Sequence, residues 1–194
     1  MSLKKSTPEL DQLETFLELI DWIDDMGVLA VAPSADTLSP SVPSPMLTVA
    51  FVDRFMRPGR NRLVAYDASE GALHVLALAV LALHPRVPRL LAIDNFDQSM
   101  NPRLARAATR LLCQVVLASS PSRQILLTTH NPLVLDGLDL GRDDVRLFTV
   151  DRDSDGVTDV QRVVVSDELI DEARNGMPLS RLWVSGRLGG MPNV

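Results

Sequence analysis

Two short apolar runs in this sequence each lead into a polar residue that could do chemistry. The run from Leu90 to Ile93 is followed by Asp94, and the run from Ile125 to Thr129 is followed by His130. In a parallel sheet, the carboxyl ends of such strands meet at one edge, where sheets of this kind bind ligands. A carboxylate at that edge suits a hard cation. The spacing therefore predicts one site that contains Asp94 and His130.

The lysine content limits how such a site could hold phosphates. The only lysines are Lys4 and Lys5, and no glycine precedes them. These residues therefore cannot form a Gly-rich loop that ends in Gly-Lys-Ser/Thr and cradles a nucleotide. If the domain handles phosphates, we expect the half that grips them to lie N-terminal to Met1.

A second acidic segment, residues 151–159, imitates a calcium-binding loop. It carries aspartates at its first, third, fifth and ninth positions and Gly156 at its sixth. The twelfth position, which is normally a bidentate glutamate, is Arg162, and the flanking residues are typical of strands rather than helices. We interpret this segment as an acidic hairpin turn.

The composition is that of one globular domain, or one domain with an appendage. Hydrophobic residues make up 46% of the 194 residues. The net charge of −6 argues against a nucleic-acid-binding surface, and the arginines, which are scattered and interleaved with acids, favour a solvated mixed surface. The lone Cys113 lies in an apolar helical pattern and suits a reducing compartment. No signal peptide is apparent, and the longest apolar stretch, Ala72 to Leu83, is too short to span a bilayer. We expect a cytoplasmic protein with no membrane partner.

The N-terminal part is predicted to be a helix and a linker, residues 1–46, before the main domain, residues 47–194. Ser6 and Glu9 form a capping-box pattern, and apolar residues then recur at helical spacing to about Met26. A Pro/Ser-rich stretch follows, from Pro33 to Pro45, and is typical of a loop or linker.

The main domain is predicted to be α/β, with a mostly parallel sheet, crossover helices and a C-terminal β-hairpin. Helix starts are indicated at Asp67–Gly71 and at two Asn-Pro pairs, Asn101-Pro102 and Asn131-Pro132. The alternation of strands and helices favours parallel pairing. Further strands are predicted at 47–52, 62–66, 145–150 and 157–165. The end is predicted to carry one or two short helices, at 167–175 and 179–183.

The ordered motifs resemble the C-terminal half of an ABC-type ATPase head, in the AAA-family group of RecF, SMC and OLD-type proteins. The segments that carry the resemblance are Ser69-Glu70-Gly71, the run ending in Asp94, Ser99 to Asn101, and Thr128 to Pro132. They span roughly residues 47–165, with a looser match in the tail. The resemblance implies a P-loop NTPase fold whose cofactors are ATP and Mg²⁺.

The resemblance also implies a role for each matching residue. Ser69, Glu70 and Gly71 match the signature motif, whose serine and glycine contact the γ-phosphate of nucleotide bound to the opposite subunit; a helix N-terminus suits an anion. Asp94 matches the Walker B aspartate that orients Mg²⁺ through its water, and His130 matches the switch histidine. Each has a plainer interpretation: Ser69 as a helix N-cap, Asp94 as a capping or salt-bridging acid, and His130 as a hydrogen-bonded structural residue.

The remaining positions match a loop that meets the partner head and a catalytic acid. Ser99 and Asn101 match the D-loop. Where most active relatives have a glutamate after the Walker B aspartate, this chain has Asn95, which can orient a water but cannot accept its proton. Asp97 matches the second acid of that pattern and either supplies a displaced base or braces the loop.

Two functions from different classes follow from the resemblance. In the first, the full-length protein is an ATPase head that dimerises with a second copy around ATP, each site taking a P-loop from one chain and Ser69 from the other. In the second, Asn95 makes the site a regulatory or assembly module that uses ATP only as a binding switch. DNA is a partner by analogy only. A Toprim-type nuclease is disfavoured, because no separate acidic sheet follows Val145.

Overall fold

The structure, a computed structural model, describes residues 7–31 and 46–188. The chain forms two compact units, with the boundary between Leu83 and His84. The predicted domain boundary at residue 46 stays a prediction, because most of the linker lies outside the described residues. In the part of the chain that is described, no helix is long and apolar enough to cross a bilayer.

The first unit combines two helices with a three-stranded antiparallel sheet. Its order is α1 (Pro8–Leu17), β1 (Ile23–Val31), β2 (Met46–Asp53), β3 (Arg62–Val64) and α2 (Glu70–Leu83), and the sheet order is β1-β2-β3. α1 begins at Pro8, where the Thr7 hydroxyl accepts a hydrogen bond from the Leu10 N–H at 3.4 Å. The predicted cap, Ser6, lies outside the described residues.

The N-terminal helix is shorter than predicted. It ends at Leu17, and the segment from Ile23 onward is β1, paired with β2 from Ile23 opposite Asp53 to Val31 opposite Met46. The prediction of a helix to Met26 was wrong because Ile20 and Ile23 fit helical spacing equally well. Both side chains are buried, but they flank the turn into a strand. Pairing with β2 satisfies the backbone of this segment and overrides its local pattern.

The turn between β2 and β3 has a defined conformation. The Arg60 N–H donates to the Arg57 carbonyl at 3.0 Å, and Gly59 has φ of +85°. Pro58 and Gly59 thus occupy the central positions that a type II turn requires. Asp53 closes the base, since its Oδ1 accepts from the Phe55 N–H at 2.7 Å. The turn is therefore held by hydrogen bonds within the segment itself.

The second unit contains a strand–helix–strand crossover, as predicted. β4 (Leu90–Ile93) and β5 (Gln124–Leu127) are parallel and in register from Leu90 opposite Gln124 to Ile93 opposite Leu127. The connecting helix α3 (Pro102–Leu117) begins after Asn101, whose Oδ1 accepts from the Leu104 N–H at 3.0 Å. α3 buries one face, formed by Ala105, Ala108, Thr109, Leu112 and Val116. The half-buried Cys113 lies beside it, and burial raises the pKa of its thiol.

A short 3₁₀ helix, Pro132–Gly137, packs directly on α3. A Cβ added at Gly137 would lie 2.6 Å from the Arg106 carbonyl oxygen and 2.7 Å from the Thr109 Cβ. Only a residue without a side chain fits that approach. Next to it, the Asp136 carboxylate accepts from the Ser180 N–H at 2.9 Å and from the Ser180 hydroxyl at 2.8 Å. These contacts fix the element that follows His130 against the body of the unit.

The C-terminal part is a hairpin and two helices around a small core. β6 (Leu147–Arg152) pairs with β7 (Thr158–Val163), and α4 (Asp167–Arg174) and α5 (Leu179–Val184) follow. The predicted hairpin turn is confirmed: Asp153 Oδ1 accepts from the N–H groups of Asp155 and Val157, at 2.9 and 2.8 Å. The core cluster consists of Leu135, Leu179, Leu182 and Leu188. On the surface, Arg187 pairs with Glu172 and lowers the pKa of that carboxyl group.

The predicted α/β class is confirmed, although the described strands pair in antiparallel fashion more often than in parallel fashion. Parallel pairing requires a long crossover, and α3 supplies one between β4 and β5. The short connections within β2–β3 and β6–β7 allow only antiparallel pairs. The expectation of a mostly parallel sheet was therefore too broad for these residues.

Candidate functional site at the ends of β4 and β5

The site lies where β4 and β5 end side by side. The Thr128 N–H donates to the Ile93 carbonyl at 3.1 Å, and the Phe96 N–H donates to the Thr128 carbonyl at 3.1 Å. The chain leaving β4 is therefore attached to the end of β5 on both sides of Asp94 and Asn95. This attachment brings the two predicted strand-end segments together.

The Thr128 hydroxyl connects the two key residues of the first segment. It donates a hydrogen bond to Asp94 Oδ1 and accepts one from the Asn95 N–H at 2.9 Å. One oxygen of the Asp94 carboxylate therefore accepts a hydrogen bond that orients the side chain. Within the described residues, Oδ2 has no hydrogen-bond partner, and the Asp94 side chain is exposed. The carboxylate is held in place with one oxygen open to a ligand.

Phe96 anchors this loop in the interior. Its side chain is fully buried, while Asp94 and Asn95 before it are exposed and Asp97 after it is half-buried. Burying a phenylalanine is among the largest single contributions that a residue makes to stability. The aromatic ring therefore fixes the position of the polar residues on either side of it.

The loop takes backbone conformations that few residue types adopt easily. Asn95 has φ of +47° and Ser99 has φ of +66°. Asparagine tolerates this left-handed region better than most residues with a side chain. The Gln98 N–H donates to the Asn95 carbonyl at 2.9 Å, and the Met100 N–H donates to the Asp97 carbonyl at 3.1 Å. Two successive turns lead the chain from the site to α3.

Both segments leave the site through an asparagine that caps a helix. Asn101 caps α3, and Asn131 Oδ1 accepts from the Leu133 N–H at 3.0 Å at the start of the 3₁₀ helix. The Thr129 hydroxyl accepts from the Asn131 N–H at 3.0 Å. His130 lies between these bonds with its side chain exposed. The imidazole is thus presented to solvent two residues after Thr128.

The predicted signature residues belong to the first unit. Ser69 precedes α2, and its Oγ accepts from the Ala72 N–H at 3.3 Å, which confirms the N-cap interpretation. Glu70 is exposed, and Gly71 is buried in the first turn of α2. Their role at a nucleotide stays a prediction. The structure therefore brings Asp94 and Asn95 together with the segment that carries His130, and it assigns Ser69 to Gly71 to a separate unit.

Sequence reasoning missed the two residues that organise the loop. Thr128 appeared in a motif without a role, and Phe96 was not singled out. The register offers a signal for Thr128, because the pair that follows Ile93 and Leu127 in a parallel ladder is Asp94 and Thr128. Phe96 had no comparable signal, since an aromatic residue between polar ones resembles a loop position.

Comparisons with known proteins identify the family of this chain. A family profile described as "AAA domain, putative AbiEii toxin, Type IV TA system" matches residues 5–136, more than half of the chain. The chain belongs to this AAA domain family. Membership makes it an AAA-type ATPase domain and confirms the predicted family. No curated protein matches the AAA chain by sequence.

One solved structure supports the fold of this AAA chain, and two others are similar to it at lower scores. An Smc head domain from Pyrococcus furiosus, with an extended coiled coil and bound to the C-terminal domain of ScpA, is 16% identical, with a TM-score of 0.50. The match covers 87% of this chain and 37% of that one. An SMC head domain from Thermotoga maritima is 18% identical, with a TM-score of 0.45 and coverage of 83% and 49%. A structure from work on ATP-driven dimerization and DNA-stimulated activation of SMC ATPases is 13% identical, with a TM-score of 0.49 and coverage of 87% and 92%.

Proposed function

We propose that this chain is the C-terminal part of an ATP-binding head in which Asp94 holds Mg²⁺. The observation that supports the proposal is the Thr128 bridge, which orients the Asp94 carboxylate at the carboxyl ends of two parallel strands. Ligands of open α/β sheets bind at that edge. Family membership supplies the ATPase context, and the bridge supports the choice of Asp94.

The residues present fit a magnesium ion bound together with a nucleotide. Mg²⁺ in ATPase sites is held by one or two carboxylates, with waters and substrate phosphates completing the octahedron. Asp94 offers one exposed carboxylate oxygen, and among the described residues no group of three or more His, Cys, Asp or Glu could hold a metal. A single carboxylate suits a cation shared with phosphates better than a protein-enclosed one. When bound, the cation supplies charge neutralisation at the phosphates.

The remaining parts of the head are proposed from the resemblance. Lys4 and Lys5 are the only lysines, so we propose that a P-loop lobe outside these residues completes the site. A second copy of the head contributes Ser69, Glu70 and Gly71, while Ser99 and Asn101 meet the partner. The half-buried Cys113 thiol suits a reducing compartment, and we propose a cytoplasmic location. DNA remains a partner by analogy alone.

A second candidate function is favoured by Asn95. A carboxamide cannot take a proton from an attacking water, so the head would bind ATP as a switch and hydrolyse it slowly. Asp97 is the nearest acid in the sequence that could compensate, and its side chain is half-buried. His130, which is exposed at the end of the second strand, would report the state of the nucleotide in either case.

Manganese binding tests the role of Asp94 in the chain itself. Mn²⁺ added to the ¹⁵N-labelled chain should broaden the amide signals of Asp94, Asn95 and Phe96 before others, because a bound paramagnetic ion relaxes its neighbours. Asp94→Asn should abolish this selective broadening, since it removes the charged ligand and keeps its shape. Asp143→Asn changes an exposed acid outside the site and should leave the broadening unchanged.

The acidic turn at residues 151–159 provides an internal comparison for that experiment. If Asp94→Asn left the broadening of Asn95 and Phe96 unchanged, the assignment of the cation to Asp94 would be wrong, whether or not Asp153 and Asp155 also broadened. If amide signals near every exposed carboxylate broadened equally, the Thr128 bridge would have no role in metal binding.

Turnover of the full-length protein separates the ATPase from the binding switch. For the switch, Asn95→Asp should raise ATP turnover by at least about 10-fold, because a positioned general base contributes roughly 10²–10⁴-fold. Aspartate is preferable to glutamate here, since Asp tolerates positive φ at Asn95 and Glu would add strain of about 1–2 kcal/mol. Asn175→Asp makes the same chemical change at an exposed position and should have no effect on turnover. Fast parental turnover that disappears with Asp97→Asn would instead identify Asp97 as the base and exclude the switch.

A further inference from the structure

Two aromatic side chains in the segment that contains the β2–β3 turn and β3 are exposed, although aromatic residues are scarce in this chain. Aromatic residues make up 4% of the sequence, and Phe16, Phe51 and Phe96 are fully buried. Phe55 is 73% exposed and Tyr66 is 97% exposed. Both exposed rings lie in one segment, residues 54–66, with Phe55 before the β2–β3 turn and Tyr66 after β3. Exposed rings in one segment are typical of a binding surface, and a ligand with flat faces could stack on them.

The same segment is locally positive, although the chain as a whole is negative. Residues 54–66 contain four arginines and no acid, in a chain whose net charge is −6. Arg54 is used structurally, since its guanidinium donates to the Ile23 carbonyl. Arg57, Arg60 and Arg62 are exposed, and none forms an ion pair within the described residues. Three guanidinium groups are therefore available in the same segment as the two rings.

The acids that border this segment do not cancel its charge. Asp53 is committed to the turn, where its Oδ1 accepts from the N–H groups of Phe55 and Met56 at 2.7 and 3.2 Å. Asp67 follows Tyr66 and is exposed at the far end from the turn. Positive charge is thus concentrated on the turn and on the beginning of β3.

We infer that the β2–β3 segment, residues 54–66, binds single-stranded nucleic acid. Sequence-tolerant sites for single strands combine a basic track for the backbone with aromatic side chains on which bases stack. β3 runs extended from Arg62, so Arg62 and Tyr66 are separated by up to about 13 Å. The type II turn fixes the other end, where Arg57, Arg60 and Phe55 lie. This length suits several nucleotides better than one compact anion.

The exposed rings favour a single strand over the two main alternatives. In a duplex, the base faces are stacked on one another and cannot reach Phe55 or Tyr66. An acidic peptide would pair with the arginines but would gain little from a tyrosine that is almost completely exposed. The inference does not use Asp94, Asn95 or His130, all of which lie in the second unit.

Fluorescence anisotropy with labelled oligonucleotides tests the inference on the full chain. The probes are oligothymidylate and oligouridylate of about 15 nucleotides, and a duplex of the same length. We expect saturable binding of the single strands and weaker binding of the duplex. A plot of log K against log[salt] should have a slope of about −2, because three phosphate contacts are made. The ratio of the thymidylate and uridylate affinities tells whether DNA or RNA is preferred.

Variants separate stacking from charge. Phe55→Ala and Tyr66→Ala should each weaken binding by roughly 5- to 100-fold, as the loss of one stacked base does, and Tyr66→Phe should restore most of it. Arg60→Ala should reduce the salt slope by about 0.7. Phe148→Ala and Arg103→Ala change exposed residues of the second unit and should bind as the parent does.

Three results would overturn the inference. They are the absence of saturable single-strand binding by the folded chain, tighter binding of the duplex, or equal binding by the parent and by both ring variants. A poly-glutamate peptide that displaced the oligonucleotide and bound with ring-dependent affinity would assign the surface to an acidic protein segment instead. Circular dichroism confirms folding of each variant, which is expected because Phe55 and Tyr66 contribute little to the core.

Discussion

Phe96→Ala is expected to lower the free energy of unfolding of the second unit by about 3–5 kcal/mol. The Phe96 ring is fully buried, and its removal leaves a cavity next to the strand ends. The change should also loosen the residues that the ring anchors, so that the amide protons of Asn95 and Thr128 exchange with solvent faster. Urea denaturation measures the first effect, and hydrogen exchange followed by NMR measures the second.

Two comparisons make this expectation specific. Phe96→Leu keeps most of the buried volume and should cost less than about 1.5 kcal/mol. Phe148→Ala truncates a phenylalanine that is 50% exposed, so it should cost clearly less than Phe96→Ala. If Phe96→Ala and Phe148→Ala cost the same, the ring would not be an anchor, and the loop would have to be held by the Thr128 bonds alone.

Gly137→Ala is the second change with a large expected effect. The added methyl group would meet the Arg106 carbonyl oxygen at 2.6 Å, which is backbone and cannot rotate away. The 3₁₀ helix must therefore separate from α3, at a cost of about 2–4 kcal/mol of unfolding free energy. Thermal unfolding of the purified variant measures this loss as a lower midpoint.

Gly27→Ala serves as the matched control for Gly137→Ala. Gly27 lies in β1 with ordinary φ, and nothing lies within 4 Å of an added Cβ. Its replacement should leave stability within about 0.5 kcal/mol of the parent, or raise it slightly. A neutral Gly137→Ala would mean that the 3₁₀ helix can shift without cost and does not fix the segment after His130.

The sequence alone predicts those elements that short-range chemistry determines. Asn101-Pro102 and Asn131-Pro132 start helices for a local reason. The asparagine side chain accepts a hydrogen bond from a free N–H group of the first turn, and the proline has no N–H group that needs a partner. Both starts are confirmed. The crossover from β4 to β5 follows from apolar runs separated by a helical pattern. β1 was mistaken for helix because its partner, β2, lies beyond a linker, and no local pattern reveals that pairing.

In the candidate site, too, the local features were predictable and those that depend on tertiary structure were not. Asp94 and His130 were predictable because each directly follows an apolar strand. The Thr128 bridge depends on register between two strands, and the burial of Phe96 depends on what packs around it; neither is a local property. The placement of Ser69 in a different unit from Asp94 could not be foreseen either, since helix patterns carry no information about which contacts are shared.

Because of the Thr128 bridge, we also expect positions 94, 95 and 128 to change together in evolution. A residue at 128 without a hydroxyl group leaves the carboxylate of 94 and the N–H of 95 without their shared partner. Among homologues, we expect Thr or Ser at 128 wherever 94 is acidic, and coordinated loss of both wherever the site has decayed. Covariation of this trio would distinguish working heads from degenerate ones before any protein is purified.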